Sequence, residues 1–158
     1  MEFHDEFVID FTKRTRLNLK SIESANEKGE DVREFTQLIN SLLGLLIFPY
    51  EHPNCNIQPT PLEELVKDHG WPDIQCTKGV LKENTLGELI RVIRHSFAHC
   101  LVEFLPDNKK QVGSVRLWNG VQPNPKWETV IGVNDFRRFV LKFADLIENQ
   151  NTSAGGES

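Results

Sequence analysis

The sequence LGELIRVIRHSFAHCLVEFL, residues 86–105, combines a regular apolar pattern with a cluster of arginines and histidines. Asn84 or Thr85 can cap its first turn, and Pro106 follows its last residue. Apolar side chains recur every three or four positions, at Leu86, Leu89, Ile90, Ile93, Phe97, Cys100, Leu101 and Phe104. This spacing predicts one amphipathic helix over the whole stretch, with its apolar face in the core.

The segments around this stretch also favour helices. Helical periodicity extends over residues 3–22, 32–48, 61–69 and 134–150, and the proline-rich segment 49–61 predicts a long irregular connection. VGSVRLW and WETVIGV predict a β-hairpin, residues 112–133, across which Trp118 and Trp127 are expected to pair. The predicted fold is therefore mainly α, an antiparallel helical bundle with a small β-hairpin before the last helix. We expect a single domain over residues 1–149 and a disordered tail over 150–158.

The composition excludes several classes of protein. The longest strongly apolar run, LLGLLIF at residues 42–48, is far shorter than the roughly 20 residues that span a bilayer. The acidic N-terminus does not have the pattern of a secretory signal. Cys55, Cys76 and Cys100 form no CxxC pair and are odd in number, so they indicate neither a zinc ribbon nor a disulfide framework. We therefore expect a cytoplasmic protein with no membrane contact.

A net charge of −5 argues against bulk electrostatic binding of nucleic acid, so any RNA contact must be local. Lys13, Arg16 and Lys20 share one helical stripe, and Arg91 lies one turn before Arg94. These four cations, Lys13, Arg16, Lys20 and Arg91, are the candidate RNA-binding residues. The alternative is that they are ordinary solvated helix faces.

The polar side of the predicted helix carries the candidate chemistry. At about 100° per residue, Arg91, His95 and His99 form one stripe, with Arg94 on its flank. Histidines at i and i+4 can share a zinc ion, but HSFAH has no central Glu and no third ligand is evident, so no metal site is predicted. A polar stripe that is merely hydrated, with structural histidines, remains the other alternative.

Arginine and histidine together suffice for metal-independent RNA cleavage. Histidine moves protons near neutral pH, and arginine presents a planar charged fork to phosphate oxygens. The ribose 2′-OH then attacks the neighbouring phosphate without a metal or a protein nucleophile. In a straight helix, however, Arg94 and His99 point about 140° apart. A bend, or a second protomer about a two-fold axis, would bring them to one phosphate.

RHSFAH, residues 94–99, resembles the R-x4-6-H signature of the HEPN superfamily (higher eukaryotes and prokaryotes nucleotide-binding), in which a polar residue usually follows the arginine. The segments FTKRTRLNLKSI and FTQLINSLLGLLIFPYE, and the position of the motif in a late helix, are similar to a bacterial HEPN branch found on plasmids and in defence loci. The resemblance covers roughly residues 5–148.

The resemblance implies a dimeric helical bundle with a metal-independent endoribonuclease site in a composite cleft, needing no cofactor and leaving 2′,3′-cyclic phosphate and 5′-OH ends. Arg94 and His99 take the two signature positions, and His95 takes the polar position. By this resemblance His99 transfers protons, Arg94 stabilises transition-state charge and His95 positions the substrate. A toxin or anti-phage defence effector, with a possible antitoxin or regulatory protein as partner, is the implied role.

One position departs from the pattern of many HEPN toxins. They carry R-x4-6-H-x-Y, and a nucleotidyltransferase antitoxin modifies that tyrosine, whereas Leu101 stands here and the chain's one tyrosine is Tyr50. Control by tyrosine modification is therefore not expected. The alternative function is a non-catalytic HEPN-like module that binds RNA or a partner protein.

Overall fold

A computed structural model of the chain describes residues 2–47, 57 and 59–153. Five helices and four strands follow one another in these residues. They are α1 (Glu2–Glu27), α2 (Glu34–Ile47), α3 (Leu62–His69), β1 (Cys76–Gly79), α4 (Leu86–Ala98), β2 (Val102–Pro106), β3 (Val112–Asn119), β4 (Trp127–Gly132) and α5 (Val133–Ser153). Within this part of the chain, no helix has both the length and the apolar character needed to cross a membrane.

The chain divides into two compact units, residues 1–56 with 140–158, and residues 57–139. In the first unit, α1 packs on α2, and the part of α5 after Phe139 completes the core. Its apolar core consists of Val8, Leu19, Leu38, Leu42, Leu45, Leu46, Val140, Phe143, Ala144 and Ile147. Arg16 of α1 donates to Asp145 at 2.6 Å and to Glu148 at 3.2 Å, which links α1 to α5 inside this unit.

The second unit is built on an antiparallel sheet in the order β1-β4-β3-β2. One face of the sheet carries buried apolar side chains, including the cross-strand pair Val115 and Ile131, and β3 packs against α4. Alternation along β3 places Arg116 and Trp118 on the other face, where the Arg116 guanidinium lies 5.5 Å from the centre of the Trp118 ring.

The prediction of a mainly α bundle with one small hairpin is wrong, because the described residues contain a four-stranded sheet. The predicted hairpin is present as β3 and β4, but these are the central strands. Residues 102–106 form the edge strand β2 and not the end of a helix, since the chain leaves the helical conformation after Ala98. β1 was not predicted, because its four residues are all exposed and show no apolar alternation.

Smaller expectations also change. Trp118 is opposite Glu128 and Trp127 is opposite Asn119, so the two tryptophans lie on opposite faces of the sheet and do not pair. Residues 150–153, predicted as tail, form the last turn of α5, and 154–158 lie outside the described residues. The irregular connection predicted over 49–61 also lies largely outside them.

Glu128 is the most buried carboxylate of the sheet, at 4% exposure. Its oxygens accept hydrogen bonds from Arg116 at 2.7 Å, from Gln122 at 3.1 Å and from Thr77 at 2.9 Å. Burial opposes the charge, but the bonds from Gln122, Arg116 and Thr77 together outweigh it and lower the pKa of Glu128 to about 2. Glu103, half exposed, bonds the other side of Arg116 at 3.1 Å.

Substitution of Glu128 by Gln is expected to lower the free energy of unfolding at pH 7 by about 1–3 kcal/mol, because three donors lose the buried charged acceptor that they share. The lowered pKa means that the native contribution of Glu128 is present above pH 4.5 and lost as the pH falls toward about 2. Denaturant unfolding at pH 7, 4 and 3 should therefore show a shallower acid loss in Glu128→Gln. The matched control is Glu103→Gln; equal pH slopes for the two variants would contradict this assignment.

Candidate catalytic site

The candidate site residues lie on α4 and at its C-terminal end. The helix begins after Thr85, whose side chain caps it. Thr85 precedes the helix in an extended conformation, and its side chain accepts a hydrogen bond from the backbone N–H of Glu88 at 3.3 Å. The buried face then carries Leu86, Leu89, Ile90, Val92, Ile93 and Ser96. Phe97 is only half-buried, with its ring 6.5 Å from that of Phe136, and Cys100 is exposed, although both were expected in the core.

The end of α4 is a Schellman motif. Glycine usually takes the left-handed position of this motif, but here that position is Cys100. The N–H of Leu101 donates to the carbonyl of Ser96 at 2.8 Å, and the N–H of Cys100 donates to that of Phe97 at 3.2 Å. Cys100 adopts the left-handed conformation that this motif requires, with φ of 55°. His99 is therefore the C-cap residue, with φ −105° and ψ 12°, and not part of a continuing helix.

His95 and His99 come together at this helix end. Their ring centroids are 4.3 Å apart with the planes tilted by 44°, and both residues are exposed. Partial burial, and then the nearby charges of His99 and Arg91, lower the pKa of His95 below its ordinary value. The two imidazoles, expected on one polar stripe, thus lie in contact with each other, and the charge of His99 disfavours protonation of His95.

The two arginines of α4 have different surroundings. Arg94 is half-buried, directly before His95. Arg91 is exposed and donates two hydrogen bonds to Glu88, at 2.7 and 2.8 Å, which lower the pKa of Glu88. A phosphate that binds Arg91 must therefore compete with this carboxylate.

The candidate RNA-binding residues of α1 lie in the first unit, whereas α4 lies in the second. Lys13 and Lys20 are exposed, so they are accessible to a phosphate. Arg16 is half-buried and bound to Asp145 and Glu148. Their role in binding RNA stays a prediction.

Two other kinds of site can be compared with the α4 cluster. In residues 2–47, 57 and 59–153, no three His, Cys, Asp or Glu side chains are grouped as a metal site requires. A cavity of about 730 Å³ opens in the second unit beside α3 and β1, with Leu65, Trp71, Leu89 and Phe139 in its apolar wall. None of Arg94, His95 and His99 lines this cavity.

Two residues that support the site were not identified from the sequence. The Ser96 hydroxyl is fully buried and lies 2.9 Å from both the Val92 and the Trp118 carbonyl oxygens. The Asn119 amide, 8% exposed, donates to the Val92 carbonyl at 3.1 Å. The available signal was the position of Ser96, which is three and four residues after two apolar residues and so falls on the buried face of α4.

The protein-family model described as HEPN pEK499 p136 matches residues 1–154 of the chain. Comparison with curated proteins and with solved structures finds no match. The family match covers the whole of both compact units except the last four residues, and it includes the α4 cluster.

The left-handed Cys100 generates a stability prediction. Cys100→Gly is expected to raise the free energy of unfolding by up to about 1 kcal/mol, since glycine adopts this conformation without a Cβ clash. Cys100→Val is expected to lower it by about 1–2 kcal/mol, because a β-branched side chain is strongly strained there. Urea unfolding of the three proteins is the measurement, and identical stability of both variants with the parent would contradict the conformation.

The contact between the imidazoles generates a titration prediction. In an NMR titration, the pKa of His95 should lie below that of an unperturbed histidine, and His99→Gln should raise it because one nearby positive charge is removed. The control is His69→Gln, on α3, which should leave the titration of His95 unchanged. A His95 titration that is insensitive to His99→Gln would mean that the two rings are not coupled.

Proposed function

Because the chain belongs to the family described as HEPN pEK499 p136, we propose that it is a metal-independent endoribonuclease that uses Arg94, His95 and His99. The observation that carries the proposal is the contact between the His95 and His99 rings, 4.3 Å between centroids, on an exposed helix end that also carries Arg94. Cleavage of this type needs only proton transfer and charge stabilisation.

In the proposed reaction the ribose 2′-oxygen forms a bond to phosphorus while the bond from phosphorus to the 5′-oxygen breaks. One group accepts the proton of the 2′-OH, and another gives a proton to the departing 5′-oxygen. The products are a 2′,3′-cyclic phosphate and a 5′-OH end. No water is consumed in this step, and the protein remains unmodified.

The histidine pair suits a reaction that needs one proton-transfer group and one orienting group. Partial burial, and then the nearby charges of His99 and Arg91, lower the pKa of His95, which favours its neutral form. A neutral imidazole can accept a proton or a hydrogen bond, and a protonated one can donate to the leaving oxygen. We assign one of the two proton transfers, at the 2′-OH or at the leaving oxygen, to His99 and the other to solvent water, and orientation of the 2′-OH or phosphate to His95.

Arg94 is assigned to the charge that develops on the phosphate oxygens. Its guanidinium stays charged throughout the reaction and can donate two parallel hydrogen bonds to phosphate. Lys13 and Lys20, with Arg16 and Arg91 after release from their carboxylates, would contact the RNA backbone. Binding should weaken with added salt, and because few cations neutralise phosphates, the slope of log K against log salt concentration should be shallow.

We further propose a homodimer in which each chain contributes Arg94 and His99 to a shared cleft, and a role as a cytoplasmic toxin or anti-phage defence effector. The family match and the position of His99 at a helix end support the proposal. An antitoxin or other regulatory protein would then restrain the nuclease. Leu101, two residues after His99, gives no acceptor for tyrosine modification, so restraint would act by another route.

Cleavage in the presence of EDTA tests the reaction. Purified protein should cut total or transfer RNA under these conditions, and Arg94→Ala and His99→Ala should each lower the rate by about 10²-fold or more, as expected for loss of charge stabilisation or acid–base catalysis. His95→Ala should lower it less. End analysis should find cyclic phosphate.

Arg14→Ala and His69→Ala are the matched controls, because they remove an exposed arginine and an exposed histidine elsewhere. Their rates should stay within about twofold of the parent. Equal cleavage by the parent and both site variants would contradict the proposed function. Binding of RNA without cleavage, unchanged by His99→Ala, would support a non-catalytic module.

A mixing experiment tests the shared cleft. When inactive Arg94→Ala and His99→Ala proteins exchange subunits, up to about half of the dimers are mixed and hold one intact Arg94 with one intact His99. Partial return of cleavage is therefore expected. Activity that stays at the level of the separate variants, although light scattering and tagged-chain exchange show mixed dimers, would mean that each chain carries its own site.

A further inference from the structure

We infer that Ser96 is a positioning residue, which holds His99 against His95 by tying the C-terminal end of α4 to β3. The inference rests on the proposed function only for its activity readout. Ser96 is neither exposed nor placed to touch RNA, since none of its surface is accessible. Its effect would therefore act through the backbone on both sides of His99.

Three hydrogen bonds form a closed circuit around the helix end. The Ser96 hydroxyl donates to the Trp118 carbonyl at 2.9 Å, and the Trp118 N–H donates to the Leu101 carbonyl at 3.2 Å. The Leu101 N–H donates to the Ser96 carbonyl at 2.8 Å, which closes the circuit. His99 lies inside the segment that this circuit encloses, residues 96–101, so the three bonds restrain its backbone at both ends.

The Ser96 hydroxyl reaches two carbonyl oxygens at equal distance, one in its own helix and one in β3. A serine within a helix ordinarily bonds the carbonyl four residues earlier, here Val92 at 2.9 Å. The Asn119 amide also donates to the Val92 carbonyl, at 3.1 Å. The single hydroxyl proton of Ser96 is therefore shared with Trp118, and the hydroxyl becomes a link between α4 and β3 instead of a bond within one helix.

Thr12 provides a matched comparison within the same chain. It is also fully buried, and its hydroxyl donates to the Val8 carbonyl, four residues earlier, at 2.8 Å. Val8 and Thr12 both belong to α1, in the other compact unit. Removal of the Thr12 hydroxyl thus deletes the same helical bond without deleting a link to the site.

The experiment compares Ser96→Ala with Thr12→Val in the full-length protein. Each is expected to lower the melting temperature by about 2–4 °C, through loss of one buried hydrogen bond. Ser96→Ala alone should lower kcat for RNA cleavage by about tenfold, with KM within about twofold, because a small misplacement of catalytic groups affects mainly the chemical step. Thr12→Val should leave both constants near those of the parent.

An NMR readout separates this inference from the proposed function. In Ser96→Ala, the nuclear Overhauser contact between the His95 and His99 rings should weaken, and the pKa of His95 should rise toward its ordinary value as His99 moves away. Loss of ring contact with no cleavage by any variant would support the positioning role and contradict the nuclease. An unchanged ring contact in Ser96→Ala, or an equal loss in Thr12→Val, would overturn the positioning role whatever the activity.

Discussion

The left-handed turn at Cys100 joins α4 to the sheet of the second unit. By entering the left-handed region at φ 55°, this residue ends α4 and redirects the chain into β2, which pairs with β3 from Val102 onward. The same turn makes His99 a cap residue and brings its ring to His95. The conformation of this one residue thus affects both the start of the edge strand β2 and the geometry of the candidate site.

Much of the fold was predictable from the sequence. The main error, at residues 99–105, has a physical cause. Apolar periodicity located α1, α2, α3, α5 and the beginning of α4, and alternation located β3 and β4, because these patterns reflect burial directly. Residues 99–105 continued the helical apolar rhythm, so nothing in Phe104 or Leu105 indicated a strand. That outcome was decided by pairing with β3, which is a tertiary interaction. Helix ends are commonly marked by glycine, and here Cys100 takes that place.

The family was predictable from the sequence, the assignment of the site residues stays a prediction, and their geometry was predicted less well. RHSFAH identified Arg94, His95 and His99 and the HEPN family, and the family is confirmed by a match over residues 1–154. The angular argument from a straight helix did not hold at His99, because the helix has ended there. Ser96 and Asn119 could not be recognised as partners of one carbonyl, because they are 23 positions apart and no local pattern joins them.

The hydrogen bonds between Trp118 and the end of α4 mean that RHSFAH alone does not specify the arrangement of its side chains. Six consecutive residues specify the chemical groups, but the bonds that orient them come from a strand encoded about twenty positions later. Grafting RHSFAH onto the surface of another helix would transfer the imidazoles without their arrangement. Because both Trp118 groups in the circuit are backbone atoms, the site depends on where β3 lies and not on the side chain at position 118.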